Sequence, residues 1–268
     1  MLRKVASITI VFFAATLSYA EPTAITVRVR SHDAKFIGSA AGGVGVVITD
    51  ADSGRVLAQG LIRGGTGDTK AIMKTAHARR QEIAGPKAAS YVAHLNIRRP
   101  TKVRIEVRGP LAGGRNAHLA SRTLVVLPGH DIAGDGVVFE LYGCIVDIVS
   151  PTPHEFFKPG QTVTIDADVV MLCGCPVMPG GLWDAGEFDV RATISDTAGK
   201  KIAEIPLQYA GTTSHFRADF KPAATGGYRV VVTAALDASA NYGYAIGGFV
   251  VKAPPAAKTP PAGAPGTN

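Results

Sequence analysis

Cysteine is scarce in this chain: three residues in 268. Three cannot all pair with one another, so a disulfide-stapled miniature fold is excluded and at least one sulfur stays free, binds something or bridges to another chain. Tryptophan occurs once, at Trp183. Catalytic templates are missing too. There is no G-x-S-x-G nucleophile elbow. HEFFK at 154–158 begins like a zinc-protease helix but has Lys158 where the second histidine belongs. GGTGDTK at 64–70 is glycine-rich without the Gly-Lys-Ser/Thr ending of a phosphate loop. Asp50, Asp52 and Gly54 have no downstream Glu to complete a calcium loop and read as turn formers, as do Asp131 and Asp135. The histidines (His32, His77, His94, His118, His130, His154, His215) show no i,i+2 or i,i+4 spacing and read singly as surface or turn residues. An enzyme is not expected.

What is present points to export. Arg3 and Lys4 precede the apolar run ASITIVFFAATL, and Ser18-Tyr19-Ala20 supplies small residues where a signal peptidase reads. The expectation is a signal over 1–20, cleaved after Ala20, and a periplasmic or extracellular protein. No later segment approaches the ~20 apolar residues of a membrane-spanning helix. That setting permits disulfides. The charge is uneven: 21–142 holds 17 Lys and Arg against 10 Asp and Glu, whereas 143–268 holds 9 against 11. A basic first half suggests an anionic envelope component or an acidic protein as partner for 21–142. Nucleic acid is not expected as a partner.

The 31 glycines and 17 prolines suit short strands and turns. Ile25, Val27 and Val29 alternate with Thr26, Arg28 and Arg30, and GVGVVITDADSGRVLAQGLI reads as a hairpin around DADSG. Residues 64–90 interrupt the pattern as a long loop or short helix. Strands resume at YVAHLNI, TKVRIEVRG and SRTLVVL, and PGHDIAGDG (128–136) reads as a turn cluster. In QTVTIDADVVMLC, Val163, Ile165, Ala167, Val169, Met171 and Cys173 share one face, and Thr164, Asp166 and Asp168 the other. EFDVRATI and HFRADF repeat that alternation around the turn DTAGKK. The tail, 253–268, is rich in Pro and Ala, without periodicity, and reads as disordered.

The hairpin followed by VLAQG and a Gly/Thr stretch resembles the transthyretin-like and carboxypeptidase-regulatory-like β modules. The stretch CIVDIVSPTPHEFFKPGQTVTI, with Tyr228 after a Pro/Gly corner, resembles bacterial immunoglobulin-like domains over about 144–252. There the resemblance implies a tyrosine corner, with the Tyr228 hydroxyl bonding back to the backbone. The chain departs from the antibody pattern: no cysteine follows Tyr228, and Trp183 falls in a loop rather than a strand. The expected architecture is all-β, with two sandwich-like modules in tandem: a basic one (21–142) and an immunoglobulin-like one (143–252).

MLCGCPVM (171–178) gathers two of the three cysteines and two of the methionines. Three readings stand. Met171 and Cys173 continue a core face. Cys173 and Cys175 form a disulfide, which needs a bend at Gly174 because i and i+2 of an extended strand lie about 6.6–6.8 Å apart. Or Met171, Cys173, Cys175 and Met178 form a soft set suited to Cu(I). Cys175 and Met178, beyond the strand end, are the harder pair to assign to a core. Antiparallel pairing across 151–160 would set Cys144 opposite residue 167, roughly 20 Å short of Cys173. The function expected is a non-enzymatic binding or accessory protein of the cell envelope. The alternatives are a periplasmic Cu(I) protein and a thiol–disulfide protein acting through Cys-Gly-Cys.

Overall fold

The computed structural model describes residues 22–153 and 155–253. The signal expected over 1–20, nearly all of the tail expected over 253–268, and His154 lie outside the described residues.

The first seven strands are β1 (Thr23–Ser31), β2 (Val44–Asp50), β3 (Val56–Ile62), β4 (Tyr91–Leu95), β5 (Thr101–Gly109), β6 (His118–Val126) and β7 (Ile132–Leu141). They form two sheets, ordered β4-β1-β7 and β3-β2-β5-β6. β1 runs antiparallel to β4 and parallel to β7. The alternation read from the sequence sets the core: Ile25, Val27 and Val29 pack with Val46, Ile48, Ile105 and Val107 from the facing sheet. The β2–β3 turn closes as expected, with the Asp50 carboxylate accepting from the Asp52 and Ser53 amides.

Two expectations are corrected here. PGHDIAGDG is a turn only at its start: Ile132 already pairs with Ile25, and a register slip intervenes before Val27 pairs with Val137. A bulge absorbs the extra residues that the pattern had suggested were loop. Arg28 faces away from the sandwich core as read, yet it is buried, because the 63–90 excursion covers that face. The Arg28 Nη1 donates to the carbonyls of Ala88 (2.6 Å) and Ala89 (2.9 Å). The excursion contains α1 (Thr69–Met73), capped by Asp68, whose side chain accepts from the Ala71 amide. Ile72 anchors it against Phe36 and Ala88.

The remaining strands are β8 (Cys144–Ser150), β9 (Phe156–Phe157), β10 (Val163–Met171), β11 (Asp189–Asp196), β12 (Lys201–Pro206), β13 (Gln208–Tyr209), β14 (His215–Phe220), β15 (Gly226–Leu236) and β16 (Asn241–Val251). One sheet is β13-β14-β10-β8 and the other β12-β11-β15-β16-β9. This is the immunoglobulin-like split, with first, second and fifth strands facing third, sixth and seventh. The chain is therefore all-β, two sandwich-like modules in tandem, the second immunoglobulin-like. Tyr228 makes its corner: the hydroxyl donates to the Ala224 carbonyl at 2.8 Å. No inter-sheet disulfide exists there. Within its own sheet the Tyr228 ring stacks on Phe249 of the paired strand at 5.0 Å, and Phe220 of the facing sheet meets Tyr228 edge-on at 6.1 Å.

Only Tyr142 and Gly143 separate β7 from β8, and the two cores interleave across that link. Ala34 belongs to the second core, while Ile145 and Leu172 belong to the first. Asn241, fully buried, completes the seam: its Oδ1 accepts from the Gly143 amide (2.7 Å), and its Nδ2 donates to the His32 carbonyl (3.1 Å) and Ser239 Oγ (2.9 Å). Asn116 links the same region by accepting from the Tyr244 amide at 2.9 Å.

These bonds give an ordered expectation for urea unfolding. Asn241→Ala strands one buried and one half-buried backbone group and lowers stability by about 2–4 kcal/mol, whereas Tyr228→Phe loses one bond and costs about 1 kcal/mol. Equal effects would contradict the seam's role.

Candidate functional site

The sulfur stretch lies where β10 runs out. Gly174 takes φ +74°, a conformation glycine adopts without strain, and its amide donates to the Met171 carbonyl at 2.7 Å. That bend draws the Cys173 and Cys175 Cα atoms to 5.3 Å, and the two form a disulfide. The geometric obstacle of an extended strand is removed by the residue between them. Joined sulfurs offer no thiolate, so the Cu(I) reading of this stretch concerns a reduced chain, whereas the disulfide is the oxidised state of the couple that the thiol–disulfide reading invokes.

The surroundings correct two expectations. Cys175 is 3 % exposed and packs with Met171 and Cys173 in the second core; Met178 is half-buried at the edge of that turn. Trp183 is buried in the same core, although no strand carries it. Its loop folds back over the sulfur turn, the Met178 amide donating to the Trp183 carbonyl, and the indole Nε1 donates to the Asp33 carbonyl of the first module at 3.0 Å. The position of Cys144 is also corrected: it stands opposite Met171, not residue 167. The 151–162 connection is not a simple hairpin loop, because β9 within it crosses to pair with β16 in the other sheet. The register of β8 on β10 shifts accordingly. Cys144 remains a free, buried thiol, and burial pushes it up to about 12.

A second cluster was not read from the sequence as a group. On the outer face of β8, β10 and β14, Asp166 is paired in register with Arg217, and Asp168 with His215 and Asp147. The Asp166 carboxylate is buried; it lies 3.0 Å from the His215 Nδ1 and accepts from the Arg217 Nη2 (2.5 Å) and Nε (3.1 Å). Burial pushes the Asp166 carboxyl up, but the bonds and charges of His215 and Arg217 outweigh it and leave it below the ordinary value. Burial lifts Asp168 instead, with Asp147 and Asp166 adding repulsion and His215 opposing. An Asp–His pair orients an imidazole as a general base requires. Among the described residues, however, no hydroxyl or thiol hydrogen-bonds to that ring, and no group of three or more His, Cys, Asp or Glu is placed to hold a metal ion. The sequence signal was D-x-D on one strand and H-x-R on another, meaningful only once their register is known.

The basic surface is the third element. Among the described residues of 22–142, only Arg30 and Arg104 form ion pairs between a Lys or Arg and a carboxylate. Lys74, His77, Arg79 and Arg80 are exposed on the 63–90 excursion. Of the neighbouring acids, Asp68 caps α1 and Asp135 accepts from the Ile83 and Ala84 amides, while Glu82 is exposed beside them.

No family model matches the chain, and no curated protein matches it significantly. Among solved structures it is similar to an engineered protein (18 % identity, 44 % of this chain, 22 % of that one, TM-score 0.31). It is also similar to the fibronectin(III)-like modules of Clostridium thermocellum CbhA (19 % identity, 40 % and 93 % covered, TM-score 0.26). A tandem of titin immunoglobulin domains covers more of it at 8 % identity (88 % and 98 %, TM-score 0.25). The chain spans about a fifth of the first structure's length, and at these scores the likeness carries no argument; the fold rests on the strand order above.

Three ionisable groups, Asp166, Asp168 and Cys144, give measurable outcomes. Asp166, held low, stabilises the fold above the ordinary carboxylate pKa of about 4, and that contribution fades as pH falls through its own lower value. Asp166→Asn therefore loses about 2 kcal/mol at pH 7, the gap to the unaltered chain closing in acid. Asp168→Asn does the reverse, stabilising at pH 7 with no gain in acid; chemical denaturation across pH 2–7 reads both. Cys144, with a thiolate fraction of about 10⁻⁴ at pH 8, takes up iodoacetamide by intact mass only after unfolding.

Proposed function

We propose that the chain is an exported, non-enzymatic binding or accessory protein of the cell envelope. In this reading the basic module, 21–142, engages an anionic envelope component or acidic protein, and the immunoglobulin-like module, 143–252, acts as its support. One observation carries it: nearly all the cations of the first module are left without a carboxylate partner, and four basic positions of the 63–90 excursion stand together on the surface. A surface held at one sign attracts polyanions and loses them to salt within a Debye length of about 8–10 Å. Export is supported by the leader expected over 1–20 and agrees with the Cys173–Cys175 disulfide, which an oxidising compartment sustains. The strand order β4-β1-β7 against β3-β2-β5-β6, with β1 parallel to β7, supports a transthyretin-like first module as the finer description.

The Cys-Gly-Cys turn is structural in this reading. Both sulfurs are buried, and a disulfide exchanges only where a thiolate can reach it. Cu(I) binding through Met171, Cys173, Cys175 and Met178 would require the reduced chain.

The test is retention of the mature protein on immobilised heparin. The expected result is elution that shifts strongly between about 50 and 500 mM NaCl, with a Lys74→Glu/Arg79→Glu/Arg80→Glu variant passing through unretained at an unchanged melting temperature. Absence of salt-sensitive retention, or full retention by the variant, would overturn the reading.

A further inference from the structure

The 3-10 segment Leu111–Asn116 of the first module and the start of β6 lean over the outer face of β15 and β16, leaving a cleft of about 410 Å³ between the modules. Its functional lining is Arg115 and His118 on one wall and Val231, Thr233, Tyr242 and Tyr244 on the other. Ligand sites favour such junctions and such volumes. The alternation of the strands produces the floor. Val230, Val232 and Ala234 point into the second core, which turns Val231 and Thr233 outward, and on β16 the buried Gly243 and Ala245 leave Tyr242 and Tyr244 outside. Those two rings are 52 % and 42 % exposed, an unusual amount of aromatic surface for neighbouring positions of one face.

Part of the backbone in the cleft is already engaged. The Tyr244 amide is held by Asn116, and the backbone at Gly243 presses against Cys144 so closely that a Cβ there would meet the Cys144 carbonyl oxygen at 2.3 Å. A peptide strand added at Tyr244 would have to displace Asn116 and crowd the Gly243 backbone, which favours recognition by side chains. These combine two aromatic faces and an apolar Val231 with a rim of hydrogen-bonding groups. Thr233 is exposed, and Arg115 has no carboxylate partner among the described residues. His118 is exposed, with its Nε2 end beside the link, where a Cβ on Gly143 would fall 3.0 Å from it. Partial burial pushes its imidazole down, keeping the ring neutral at pH 7 and able to both donate and accept. The Asp237 carboxylate beside the Tyr242 phenol pushes it up, so that hydroxyl stays protonated.

A ligand that fits has an apolar ring face, edged by hydroxyls. A purely apolar molecule would leave the rim donors unpaired at a cost. Sugar rings meet the requirement: their C–H bonds present a weakly positive face to the negative face of an aromatic ring, and their hydroxyls radiate toward the rim. We propose that this cleft binds a saccharide, with Tyr242 and Tyr244 stacking on the ring face, Thr233 and His118 bonding hydroxyls, and Arg115 favouring an acidic sugar. The site uses none of the four basic positions of the 63–90 excursion and stands independently of the polyanion reading.

Titration calorimetry with tetragalacturonate, cellotetraose and chitotetraose, each to about 10 mM, tests it. The expected result is a dissociation constant between about 10 µM and 1 mM for at least one of them, tetragalacturonate binding best. Tyr242→Ala and Tyr244→Ala should each weaken it by about tenfold or more, Tyr244→Phe should retain it, and Lys74→Glu/Arg79→Glu/Arg80→Glu should leave it unchanged. No binding of any of the three, or binding untouched in the Tyr242→Ala/Tyr244→Ala double variant, overturns the proposal, as does binding only of an extended Val-Thr heptapeptide. If an alanine variant melts early, chemical-shift changes at His118 and Tyr244 in the unaltered chain decide between the same outcomes.

Discussion

Asn241 and the two-residue link beside it hold the molecule's two halves in one arrangement. The side chain is fully buried, and its oxygen and nitrogen both serve backbone groups next to or across that link. A buried amide is tolerated only when its bonds are made, and one of these bonds, to the His32 carbonyl, reaches across to the first module. Around that fixed point the other crossings fall into place: the Trp183 indole on the Asp33 carbonyl, Asn116 on the β16 backbone, and Ala34 and Leu172 each sitting in the other module's core. The sulfur turn, the cleft at Tyr244 and the walls of both therefore owe their shape to the seam rather than to either sandwich alone.

The second sandwich does without the disulfide that commonly ties the two sheets of antibody domains. Its inter-sheet contact is apolar and aromatic: Phe220 of one sheet meets, edge-on, the Tyr228 and Phe249 rings that stack side by side on the other, with Phe157 beside Phe249. The one disulfide present instead closes a tight turn beside the seam, where Met171, Cys175 and Trp183 pack together. Sulfur in this chain stabilises a corner rather than joining sheets. The third cysteine, Cys144, is kept inert by burial next to the same corner.

Features that depend on local periodicity were legible in the sequence. The faces of β1 and β10, the hairpin at Asp50, the corner at Tyr228 and the need for a bend at Gly174 all follow from residues within a few positions of one another. What was not legible depends on pairing between distant segments. Cys144 could not be placed because the 151–162 connection gives up part of its length to β9, which changes sheets. The burial of Arg28 comes from a covering loop about sixty residues away in sequence, and Trp183 is buried in the second core although no strand carries it, its indole bonded to the other module. The Asp166 cluster needed the register of β10 on β14 before D-x-D and H-x-R could be recognised as one network.

The interleaving at the seam bears on how this chain can be reused. Immunoglobulin-like domains are widely treated as beads that can be cut at their linkers and restrung. Here a cut between Tyr142 and Gly143 would lay open Ile145 and Leu172 on one side, leave Ala34 without its surroundings on the other, and take from Trp183 and Asn241 the carbonyls they bond. Neither piece would be a portable cassette. The smallest unit that recombination or engineering can move intact is the pair.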